Sequence, residues 1–128
     1  MGFENIDHFD LMVSDVDRAL EFYRGLGVET TERKNGVGRL VKQLVLGDKE
    51  RINLTTPPDT ESQGRSVLAG GGHVCFAWRG TMDEVLETCS RNGISPKRAP
   101  KPTAPGEVSQ VFFADPDNNL VEIMVYPE

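Results

Sequence analysis

Two histidines, an asparagine and a glutamate occupy matching places in what reads as one unit written twice. His8, in Ile6-Asp7-His8-Phe9, opens the first half, and His73, in Gly71-Gly72-His73-Val74, opens the second. Each begins a strand-like stretch that runs within a few residues into a capped helix. Each half then closes on an alternating strand with a coordinating-type side chain at the matching place. In the first half this is Asn53, in Ile52-Asn53-Leu54-Thr55; in the second it is Glu122, in Val121-Glu122-Ile123-Met124. The chain holds 2 histidines in all, so both stand at equivalent places in the repeat. Two copies of a βαβββ unit would bring these four positions around one cavity.

The elements that must position them follow from periodicity. Strands are expected at residues 7–13, 28–33, 40–46 and 51–55 in the first half, and at 73–78, 94–98, 108–113 and 120–126 in the second. Val16, Ala19, Leu20, Tyr23 and Leu26 recur at helical spacing and form one apolar face. Ser14 is expected to cap that helix, and Thr81, with Glu84 three residues on, caps the second. Asn35-Gly36 and Gly47-Asp48 supply turns, and Asp115-Pro116-Asp117-Asn118-Asn119 makes a tight turn before the last strand. Along each strand alternate side chains share a face. Phe9, Leu11, Ile52, Leu54, Val74, Phe76, Val121, Ile123 and Val125 are therefore assigned to the core. His8, Asp10, Asn53, Thr55, His73, Cys75 and Glu122 are assigned to the cavity.

Length and composition narrow the function classes. At 128 residues the chain is one domain by length. The first module is placed at residues 1–57, a polar connector at 58–70, and the second module at 71–128. Each half alone would be marginal, because small units bury too little of their surface. The 20 acidic against 14 basic side chains give a net charge of −6, which argues against nucleic acid, where clustered cations are needed. No apolar run reaches the length that spans a membrane, and the N-terminus lacks a signal-peptide layout. Cys75 and Cys89 make no disulfide framework. A cytoplasmic protein with reduced thiols is expected.

At these residues the chain resembles the vicinal oxygen chelate superfamily, which includes glyoxalase I, extradiol dioxygenases, and fosfomycin- and bleomycin-resistance proteins. The carrying segments are Ile6-Asp7-His8-Phe9-Asp10-Leu11-Met12-Val13-Ser14-Asp15, Ala19-Leu20-Glu21-Phe22-Tyr23, Gly72-His73-Val74-Cys75-Phe76, and Phe113-Ala114-Asp115-Pro116-Asp117-Asn118-Asn119-Leu120-Val121-Glu122. The resemblance implies an α+β fold of two βαβββ modules, a U-shaped mixed sheet around a cavity with helices on its outer face. It implies His8, His73 and Glu122 as ligands of a divalent metal, whether Zn, Ni, Mn or Fe(II). Asn53 stands where glyoxalase I-like members carry a glutamate. A neutral amide is a weak donor and cannot act as a base, so Asn53 is read as a hydrogen-bonding cavity residue, with Thr55 and Cys75 beside it.

Two imidazoles and one carboxylate leave open positions on a metal, where it acts as a Lewis acid on a substrate oxygen. A carboxylate nearby then moves the proton. Glu122 and Asp10, the latter two residues after His8 on the same face, are the candidates. The implied activity is lyase- or isomerase-type proton transfer on a small oxygenated substrate. Ring-cleaving dioxygenation, fosfomycin-resistance-like transfer and metal-free antibiotic sequestration are the alternatives. A dioxygenase of this kind would call for a further histidine, and none is left. Lys97, Arg98 and Lys101 form a small basic cluster at the pocket edge. A homodimer is expected, since a lone U-shaped sheet leaves open edges.

Overall fold

The computed structural model describes residues 1–4, 6–34, 38–48, 50–62, 64 and 68–128. Its first half runs β1 (His8–Met12), α1 (Val16–Gly25), β2 (Glu29–Lys34), β3 (Leu40–Leu46) and β4 (Glu50–Thr55). A short helix, α2 (Pro57–Ser62), begins the connector. The second half runs β5 (His73–Arg79), α3 (Met82–Arg91), β6 (Ser109–Ala114) and β7 (Leu120–Tyr126). The fold is α+β, and the second half repeats the order of the first with one strand fewer among the described residues. The strands of one chain lie in two mixed sheets, β1-β4-β3-β2 and β5-β7-β6. In each, the opening strand pairs parallel with the closing one, which leaves β1 and β5 at sheet edges. The turn expected at Asn35-Gly36 lies outside the described residues.

Three local expectations are corrected. Residues 94–98 form no strand. Pro96 lacks an N–H for a ladder, and the segment keeps one backbone bond to the sheet, from Lys97 N to Phe112 O at 2.8 Å. The cap of α1 is Asp15, whose carboxylate accepts from Arg18 N at 3.1 Å. The Ser14 N–H instead reaches across the molecule to Asp117 Oδ2 at 3.0 Å. Phe9 is 44% exposed, because the core covers that face of β1 only from Leu11 onward. The capping box of α3 is present as read, with Thr81 and Glu84 bonding reciprocally.

Both halves share one core. Leu11, Leu44, Ile52 and Leu54 of the first sheet and Phe76, Phe113, Val121, Ile123 and Val125 of the second belong to the same buried cluster, with Tyr23 of α1 and Val85 and Cys89 of α3. The Tyr23 ring meets Phe76 edge-on at 6.2 Å between centroids, so the helix of one half packs on the apolar face of the other half's sheet. Polar bonds pin this junction. Asp115, which is buried, accepts from Tyr23 Oη at 2.8 Å and from Asp117 N and Asn119 N at 2.9 Å. Asn119 is fully buried. Its amide donates to Met12 O at 3.1 Å and accepts from Gly72 N at 2.8 Å. A side chain at Gly72 would stand 2.8 Å from Leu11 and 2.9 Å from Asn119, so the residue before His73 has no room for a Cβ.

Candidate metal and substrate site

The polar face of the first sheet carries a cavity of about 340 Å³ lined by His8, Asp10, Gln43, Asn53 and Thr55, among others. Strand alternation puts these side chains opposite Ile52 and Leu54, as expected. Register then aligns three of them. Asn53 faces Asp10 across the β1–β4 pairing and Gln43 across the β3–β4 pairing. Gln43 Nε2 donates to Asn53 Oδ1 at 2.7 Å, and Asn53 Nδ2 donates to Asp10 Oδ1 at 3.1 Å. His8 Nδ1 lies 2.8 Å from Asp7 Oδ1. That bond, first among the causes, holds the Asp7 carboxyl below its ordinary value. An ionised carboxylate only accepts, so Nδ1 carries the proton in that bond, and Nε2 is the nitrogen left to face another partner. Metal-binding histidines are oriented in this way.

On the polar face of the second sheet, His73 Nε2 stands 3.2 Å from Glu122 Oε1. The Glu122 side chain is 14% exposed and that of His73 52%. Cys75 and Phe112 flank Glu122 in register. Burial first, and then the Glu122 charge, push the Cys75 thiol up, so it is held protonated. That suits a lining residue rather than a nucleophile. The Arg98 guanidinium lies 5.7 Å from the Phe112 ring centroid. Arg98 and Lys101 line a second cavity of about 270 Å³, which Lys97 does not reach.

The structure thus brings His8, Asp10, Asn53 and Thr55 together in one place, and His73, Glu122 and Cys75 in another. The apolar faces of the two sheets are spent on one core, so within a chain their polar faces turn away from each other. Among the described residues no group of three or more His, Cys, Asp or Glu side chains gathers to hold a metal. The donors present do suit a divalent cation in kind, imidazole nitrogen and carboxylate oxygen. They are split two and one between the sheets. Gln43, which joins the first group through its bond to Asn53, has no place in the set read from the sequence. Arg33, and Arg39 with its Asp59 partner at 3.0 Å, also line the first cavity and are likewise absent from that set. Alternation reports which face a residue takes, not which residues on neighbouring strands stand level.

Comparison with known proteins places this architecture. The family model of the Glyoxalase/Bleomycin resistance protein/Dioxygenase superfamily matches residues 5–123, and the chain belongs to that superfamily. It is 30% identical over 130 residues to "Virulence protein STM3117" of Salmonella typhimurium, covering 98% of this chain and 87% of that one. The crystal structure of that protein superposes with a TM-score of 0.75, covering 98% and 99% of the two chains at 29% identity. A protein from the mobile metagenome of V. Pseudocholerae gives 0.77 at 25% identity, covering 100% and 98%. The fold is also that of the fosfomycin resistance protein FosX from Listeria monocytogenes, solved with Mn(II) and 1S,2S-dihydroxypropylphosphonic acid. That likeness has a TM-score of 0.63 at 21% identity and covers 95% and 90%. No helix among the described residues is long and apolar enough to cross a membrane.

Proposed function

We propose that the protein is a metal-dependent enzyme of the glyoxalase-like kind, working as a homodimer on a small oxygenated substrate by lyase- or isomerase-type proton transfer. The observation that carries this is the His73–Glu122 donor pair, at the repeat position matched by His8 in the other half. His8, His73 and Glu122 are the ligands, and Zn, Ni, Mn or Fe(II) suits them. The bound metal supplies Lewis acidity that stabilises negative charge developing on a substrate oxygen. Asp10, whose carboxylate lines the cavity two residues from His8, takes the proton from the carbon beside that oxygen. It returns the proton at the neighbouring atom. Glu122 would hold the metal and is the second carboxylate near the substrate space. Thr55 and Cys75 line the space that receives the substrate.

Edge geometry supports a dimer. β1 and β5 each end a sheet, and each carries one of the histidines. Laying β1 of one chain beside the β5 of another covers both open edges and brings His8 toward the partner subunit's His73. A twofold axis repeats the junction. Phe9, exposed by 44%, lies on β1 at that edge, where such contact would cover it.

Metal analysis of protein purified without chelator, followed by Mn(II) titration, tests the proposal. One equivalent per chain is expected, with binding abolished in His8→Ala, His73→Ala and Glu122→Ala. Failure of the wild-type protein to take up Mn(II), Zn(II), Ni(II) or Fe(II) would refute it and leave a sequestering protein as the function.

A further inference from the structure

We propose that Gln43 and Asn53 form a positioning arm for Asp10 and that the Asn53 oxygen is not a metal ligand. The first clause stands on hydrogen bonding alone; the second rests on the metal centre proposed above. Gln43, Asn53 and Asp10 stand level on three neighbouring strands, β3, β4 and β1. Their side chains share one face, and each is within bonding distance of the next, at 2.7 and 3.1 Å.

The direction of this chain of bonds is consistent along its length. Asn53 Nδ2 donates to Asp10 Oδ1, so Asn53 presents its NH2 group to the carboxylate. Its oxygen then faces Gln43, which must in turn present an NH2 group. Turning Asn53 alone would set oxygen against oxygen on Asp10 and NH2 against NH2 on Gln43. Gln43 is 4% exposed, so water offers it little replacement for a lost partner, and an unmet buried amide is costly. The arm therefore runs one way, and the Asn53 oxygen faces Gln43 on β3, away from β1, the strand that carries His8.

The second half supplies an internal control. Cys75, Glu122 and Phe112 form the equivalent row, level on β5, β7 and β6. There the central residue is a carboxylate, flanked by an aromatic ring and a thiol, which is at best a weak donor. Among the described residues no side-chain amide bonds to Glu122, and one of its oxygens faces His73. The same place in the repeat is thus built as a ligand in one half and as an arm in the other. The difference lies in its neighbours as much as in the central residue itself.

Side-chain amide spectra of the 15N-labelled full-length protein decide the matter, with Asn53→Ala and Gln43→Leu identifying the two NH2 pairs. Asp10→Ala should shift the Asn53 pair, and through it the Gln43 pair. Adding Zn(II) to the wild-type protein should leave the Gln43 pair in place. In parallel, the Co(II) absorption bands of Asn53→Ala should match the wild type in position and intensity, whereas those of Glu122→Gln should not. Release of the Gln43 pair on Zn(II) addition, or altered Co(II) bands in Asn53→Ala, would overturn the second clause. Amide signals indifferent to Asp10→Ala would overturn the first. If the wild type takes up neither metal, the metal centre fails by itself, and the Asp10→Ala spectrum still decides the arm.

Discussion

The Tyr23 hydroxyl and the Asp115 carboxylate meet in the core 2.8 Å apart. Burial first, and then the Asp115 charge, hold the Tyr23 phenol far above its ordinary 10.0. A pKa raised on folding contributes stability in full below the unfolded value and loses it as pH rises past that value. The protein should therefore lose stability from about pH 10 upward, and Tyr23→Phe should flatten that limb in urea unfolding followed against pH. At neutral pH the same substitution removes the donor to a buried carboxylate and should cost about 1–3 kcal/mol. Cysteine labelling gives a second check at this scale. Cys89 is buried and Cys75 exposed, so native protein should take one equivalent of a thiol reagent and unfolded protein two. At this scale much was legible. Strand alternation assigns His8, Asp10 and Asn53 to the polar face of one sheet and His73 and Glu122 to that of the other, where they stand. Gln43 could not be given its part, since its bond to Asn53 depends on how β3 is aligned with β4.

Among the elements, the turn Asp115-Pro116-Asp117-Asn118-Asn119 does more than reverse the chain. Asn118 takes a left-handed φ of 66°, which an asparagine tolerates. The turn then delivers Asn119 to Met12 O and Gly72 N and Asp117 to Ser14 N. It joins the end of β1 to the start of β5, the two strands that carry the histidines. Asn119→Ala leaves two backbone groups without partners in the interior and should cost about 3 kcal/mol, read from the urea midpoint. Asp15→Ala, which removes only the cap of α1, should cost about 1 kcal/mol. The turn and the helices α1 and α3 were signalled in the sequence, whereas α2 lies in what reads there as a polar connector. The sequence suggested a strand at 94–98 because the first half has one at the matching place, but a repeated order takes no account of the missing N–H of Pro96. The cap sits at Asp15, whose carboxylate accepts from Arg18 N, while the Ser14 N–H reaches Asp117, which lies 103 residues away.

At the scale of the whole molecule, the repeat was visible in the sequence, but the way its halves pack was not. Whether two polar faces enclose one cavity or turn outward from a common core depends on bonds such as Tyr23 to Asp115 and Asn119 to Met12. These span 92 and 107 residues, and no local pattern encodes them. Because the faces turn outward, a metal centre made of His8, His73 and Glu122 has to draw on two chains. A mixed dimer of His8→Ala and Glu122→Ala subunits, isolated by two different tags, tests this most directly. In a centre shared between chains, both defects fall on one site and the other site is intact. The mixed dimer should then bind one Mn(II) tightly, while each parent homodimer binds none. A mixed dimer that binds none would contradict the shared centre, because sites built within single chains would all be broken.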